Sequence, residues 1–254
     1  MALATTVLVT VAACGGDDDE AAPPTGSTGY RVTIASPQSL SIGAARFVFL
    51  LEDARGNPAT NASIRLRFYF IDPLRDNRKT IKNSVSATEV ELDRQYSLTQ
   101  EDGSAVAVGP GPTGVFATEV AFDQPGDWVV DVTGSAGNNH VGVIEAPFQV
   151  SEAPLGPRTG QPAPQAITGP AIVSFGQAEV CGSAVCGPLL QLVAEEAAAN
   201  EGPVALVEGE DPANWGVGDD QAVFFVDGSG IVRGRLDATA ARDEVSQKLA
   251  LIAP

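Results

Sequence analysis

The sequence predicts two domains, an all-β sandwich followed by a smaller α/β unit, on three observations. From Tyr30 to Val150, short apolar or alternating runs are separated by Gly, Pro, Asn and Asp turns, the pattern of an all-β unit. Residues 151–170, SEAPLGPRTGQPAPQAITGP, are Pro-rich and read as a semi-rigid spacer. Residues 171–254 then run strand, helix, strand, hairpin, helix, which is an α/β order. A chain of 254 residues that is 44% hydrophobic can bury two modest cores.

Seven strands are expected in the first unit, residues 30–150: 30–36, 46–53, 62–71, 84–93, 114–123, 127–134 and 141–150. In the third, Ile64, Leu66, Phe68 and Phe70 alternate with Arg65, Arg67 and Tyr69, as a sheet with one buried and one wet face requires. ARGNPAT, GPGPTG and DQPGD supply the turns. Seven strands at this spacing predict an immunoglobulin-like sandwich. Residues 114–132, GVFATEVAFDQPGDWVVDV, resemble the end of small extracytoplasmic sandwich domains of bacterial envelope proteins, which makes Trp128 a core residue behind a Pro-Gly turn. His140, the only histidine, falls in the loop SAGNNH and reads as a surface residue.

The net charge of -17 and the absence of a basic cluster exclude a phosphate backbone as partner, so no nucleic acid is expected. At the N-terminus, ALATTVLVTVAAC is an apolar run too short to span a bilayer that ends at Val11, Ala12, Ala13 and Cys14. It resembles a bacterial lipoprotein signal, residues 1–14, with Cys14 as the lipidated residue, although no Lys or Arg precedes it. Carried over, this implies an extracytoplasmic protein tied to the bacterial cell membrane through its lipid. Residues 15–29, GGDDDEAAPPTGSTG, fit a solvated tether. With Cys14 consumed, Cys181 and Cys186 remain as an even pair in a compartment where disulfides persist.

In the second unit, AIVSFG reads as a buried strand, PLLQLVAEEAAAN as a helix and PVALVEGE as a strand. QAVFFVD with IVRGRL reads as a hairpin, and TAARDEVSQKLALI as a helix capped by Thr239. Pro188 suits the first helical position, so the free N–H groups of that turn should lie near Cys186 and lower its pKa, making it the nucleophile. Cys181, five residues upstream across Gly-Ser-Ala-Val, would then resolve a mixed disulfide.

GQPAP, SFGQAEVCGSAVCGP, NWGV and FFVDGSGIVRGRLDA, in that order, resemble segments of the thioredoxin-like superfamily. The resemblance implies a C-terminal α/β thioredoxin-like fold exchanging thiols with envelope protein thiols or disulfides through Cys181 and Cys186, with Gly187 and Pro188 starting the helix and no cofactor. Leu189 stands where ordinary thioredoxins carry their second cysteine, and residues 218–221 lack the family's proline. Two other readings stay open. One is a structural disulfide clasp in a non-catalytic binding or scaffold protein. The other is a copper site resembling that of Sco-type proteins, with His140 as third ligand. Trp215 could line the site or pack in a core, and Asp219 and Asp220 could present carboxylates or form a turn. A single histidine leaves no Ser-His-Asp set.

Overall fold

The computed structural model describes residues 29–35, 40–100, 104–153, 156–176, 180–181, 188–200, 202, 204–217, 221–237 and 239–252. Each of the seven stretches read as strands forms one: β1 (Arg31–Ala35), β2 (Gly43–Glu52), β3 (Ala62–Asp72), β4 (Arg78–Leu92), β7 (Gly111–Phe122), β8 (Gly126–Ala136) and β9 (Asn139–Val150). Two short strands, β5 (Tyr96–Gln100) and β6 (Ala105–Val108), lie between β4 and β7.

The seven do not form two facing sheets. They make one sheet in the order β1-β2-β7-β4-β3-β8-β9, nearly closed into a barrel. The cause is β4, whose 15 residues pair with β3 from Arg78 to Ala87 and with β7 from Thr88 to Leu92, so that one strand carries the sheet around the corner. The open edges meet where Ser41 and Ser151 form a parallel bridge, with Ile42 N–H donating to the Ser151 carbonyl and Ser151 N–H to that of Leu40, both at 3.0 Å. The immunoglobulin-like sandwich is corrected accordingly.

Inside this sheet the alternation read from β3 holds from Ile64 to Phe68, with Ile64, Leu66 and Phe68 buried and Arg65 and Arg67 exposed, and it breaks at the irregularity between Phe68 and Tyr69, beyond which Tyr69 and Phe70 are both half-buried. Phe47, Phe68, Phe122 and Phe148 meet at ring separations of 5.0–6.2 Å, mostly edge to face, the arrangement that ring quadrupoles favour. Trp128 is 1% exposed and its Nε1 donates to the Gln124 carbonyl, so the Pro-Gly turn also satisfies the indole. The outer face of part of the sheet is dry as well: Val48, Leu50, Val90 and Val115 are buried together, with Ala241 from the C-terminal region packed against them.

The C-terminal elements are β10 (Ala171–Phe175), β11 (Val180–Cys181), α1 (Leu189–Ala199), β12 (Ala205–Glu208), β13 (Ala222–Val226), β14 (Val232–Asp237) and α2 (Arg242–Ala250). A mixed sheet of order β12-β10-β13-β14 forms, parallel between β10 and β12 and antiparallel elsewhere. The β13 sequence AVFFV is buried throughout, as an apolar run without alternation demands.

The thioredoxin-like domain is nevertheless not supported. The structure is mostly β, 55% strand with two α-helices among the described residues, and both α-helices pack in one cluster on one side of the small sheet. Its other side is covered by Trp215, at the end of a 3-10 turn over Pro212–Trp215, with Ala163, Ile167 and Val217, and by no α-helix among the described residues. Nor is the helix-side core its own, since Leu92 and Tyr96 from β4 and β5 are buried in it. The lipoprotein assignment is not carried either: Cys14 lies outside the described residues, and nothing among them shows lipidation. Thr239 does not cap α2, which begins after Ala241 with Asp243 and Glu244 in its first turn, where carboxylates complement the helix dipole.

Candidate functional site

The cysteine segment is placed only in part. Cys181 lies in β11, whose backbone pairs in parallel with β5, Val180 opposite Thr99 and Cys181 opposite Gln100. Cys186, Gly187, Asp219 and Asp220 lie outside the described residues, as does Cys14. The disulfide and redox reading of Cys181 and Cys186 therefore falls with the thioredoxin-like fold that implied it. Pro188 is the N-cap of α1 rather than its first residue, and its carbonyl accepts the Leu192 N–H at 2.8 Å. Leu189 and Leu190 anchor the helix start in the core.

Trp215 is fully buried between Phe175 and Phe224, which makes it a core residue. His140 is exposed at the start of β9, beside a shallow cleft lined by Tyr30, Asp53 and Arg55. Among the described residues no three His, Cys, Asp or Glu side chains are grouped to hold a metal.

Two arginines bind the large sheet to the C-terminal elements. Arg46 on β2, with a side chain 7% exposed, donates from Nε to Glu244 Oε1 at 2.5 Å and from Nη2 to Glu244 Oε2 at 2.8 Å. Its remaining donors reach the carbonyls of Asp237 and Thr239, both at 2.8 Å. Arg242 on α2 joins Asp93, just beyond β4, at 2.7 Å, together with Glu195 and Glu196 of α1. Glu195 also meets Arg94 and lies 3.5 Å from the Tyr96 hydroxyl, while Ser246 Oγ donates to Glu196 at 2.6 Å. Such a network fixes the helices against the end of β4.

Beside it lies a cleft of about 870 Å³ between the end of β4 and α2, lined by Glu89, Glu91, Asp93 and Asp243 with Arg242 and Ala241, above the buried Leu92. Glu89 accepts the backbone N–H groups of Asn61 and Gly114, yet burial raises its pKa above the ordinary carboxylate range, since desolvation outweighs those bonds. The hydrogen bond from Arg242 holds Asp93 below that range, offset in part by burial. A lowered carboxylate pKa stabilises the fold above its unfolded value of about 3.9, and that stability is lost as pH falls through the folded value. Asp93→Asn is therefore expected to flatten the pH dependence of stability below about pH 4. Denaturant midpoints measured against pH for both proteins check this; parallel acid limbs would count against the Asp93 contribution.

At the other end of β4 the structure shows what sequence reasoning missed. Six of the chain's 15 cations fall within residues 65–82, with only Asp72 and Asp76 to oppose them there, although the chain as a whole carries -17. The signal was present in the run RLRFYFIDPLRDNRKTIK, but the overall charge concealed it. Residues 73–81 of this β3–β4 ribbon are all exposed. Lys79 pairs with Glu145, Lys82 with Asp123 and Arg75 with Asp72. Arg65, Arg67 and Arg78 have no ion pair among the described residues, and Leu74 is 93% exposed.

In comparisons with known proteins, the chain matches no family model, and a search of curated proteins finds no significant relative.

Proposed function

We propose that the chain is a non-catalytic binding or scaffold protein. The observation that carries this reading is the pairing of β11 with β5, which uses the cysteine-bearing strand as a joint between the two parts of the chain. Backbone groups committed to a neighbouring strand suit a structural joint. The arginine contacts support the same reading, because Arg46 and Arg242 spend strong charge-assisted bonds on holding the parts together. The activity that would contradict it is thiol-disulfide exchange through Cys186 and Cys181.

Turnover decides between them. The purified chain should not accelerate insulin reduction by dithiothreitol, and Cys181→Ala should behave identically. Acceleration that disappears in Cys181→Ala overturns the proposal. We place the role outside the cytoplasm on the apolar run of residues 2–14; recovery of the protein in the cytoplasmic fraction removes that placement.

A further inference from the structure

Strand β4 carries opposite charge at its two ends. At its start the β3–β4 ribbon presents Arg75, whose side chain is 74% exposed, and Arg78, which has no ion pair among the described residues, around the exposed Leu74. At its end the cleft against α2 presents Glu91 and Asp243, both exposed and without an ion pair among the described residues, beside the part-exposed Ala241, while the cleft's Arg242 is engaged by Asp93, Glu195 and Glu196. The turn that shapes the ribbon is held locally. Asp72 Oδ1 accepts the Leu74 N–H at 2.9 Å, and Asp76 and Asn77 take the left-handed conformation that Asp and Asn tolerate.

Arg78 and Glu91 are thirteen positions apart on one strand, a separation of roughly 40 Å at strand rise, far beyond the reach of either side chain. The two charges cannot meet within one molecule. They can meet between two, because a second copy brings a cleft with unpaired carboxylates at Glu91 and Asp243 to a cationic, leucine-tipped ribbon.

We infer that copies of the chain associate head to tail, the β3–β4 ribbon of one seated in the β4–α2 cleft of the next. Arg75 and Arg78 face Glu91 and Asp243, and Leu74 lies against Ala241. The contact joins unlike surfaces, so each copy keeps a free ribbon at one end and a free cleft at the other, and growth continues unless the rotation closes a ring. Charges on both sides are solvent-exposed, so the association is weak and sensitive to salt, whose screening length falls from about 10 Å at 0.1 M to about 3 Å at 1 M. This deepens the scaffold reading by naming what the scaffold binds first, namely itself.

Sedimentation equilibrium of the full chain tests it. The weight-average mass is expected to rise with protein concentration at about 50 mM salt and to return to that of the monomer at about 0.5 M. The ribbon variant Leu74→Ser/Arg75→Ser/Arg78→Ser and the cleft variant Glu91→Gln/Asp243→Asn should each weaken association at least tenfold. Mixed one to one, they should form dimers that grow no further, because only one intact ribbon-cleft pair remains. Unchanged circular dichroism spectra check that the variants fold. A concentration-independent monomer at low salt overturns the inference, as does association that both variants retain. A monomer without thiol turnover leaves the scaffold reading standing, whereas association accompanied by Cys181-dependent turnover sinks the scaffold reading and keeps the contact.

Discussion

Arg46→Ala is expected to destabilise the folded chain by about 3–5 kcal/mol, the usual cost of removing one partner of a buried, hydrogen-bonded ion pair. The guanidinium fills a site where Glu244 and the carbonyls of Asp237 and Thr239 converge. Without it, a half-buried carboxylate and two backbone acceptors lose their donors, and the alanine leaves no polar group to replace them. The same variant should loosen the C-terminal elements more than the large sheet, because β2 keeps its pairing with β1 and β7. Guanidinium denaturation followed by Trp128 and Trp215 fluorescence measures the loss. A change below about 1 kcal/mol would place the pair among ordinary surface ion pairs.

Phe68→Ala should cost about 3–5 kcal/mol by a different route. Phe68 is fully buried and its ring lies 5.0 Å from Phe47, 5.9 Å from Phe122 and 6.2 Å from Phe148. Its neighbours belong to strands tied into one nearly closed sheet, so they cannot collapse into the space left by the ring, and the cavity penalty adds to the lost transfer energy. Phe68→Leu keeps most of the volume and should cost clearly less. Equal losses for the two would show that the site repacks. The urea m-value should stay unchanged if the native topology survives.

The strand positions were legible because inward and outward residues alternate and turns are marked by Gly, Pro and Asp. Ile64 to Phe68 and the DQPGD turn show both signals. The closure of the sheet was not, because it depends on backbone bonds from Ser151 to Leu40 and Ile42 and on the length of β4, neither of which leaves a side-chain pattern. The first half of β4, RKTIKNS, lacks an apolar face because it forms a ribbon open to solvent, so the strand was read as starting at residue 84. The run FVFLL in β2 did hold a usable signal. Five buried residues in a row mean that both faces of the strand are covered, and the outer cover is the C-terminal region. Arg46 gave no such hint, since its partner Glu244 is 198 residues away. The thioredoxin-like reading drew on short motifs and element order, which do not specify where helices pack. Here both lie on one side of the small sheet, beside residues from β4 and β5.

The central claim is that the large sheet and the C-terminal elements act as one joined scaffold, locked by Arg46, Arg242 and the pairing of β11 with β5. Differential scanning calorimetry of the full chain tests it most directly. One transition is predicted, with calorimetric and van't Hoff enthalpies equal, and Arg46→Ala should split or broaden it. Two resolved transitions in the unaltered chain, with midpoints that Arg46→Ala leaves in place, would contradict the account.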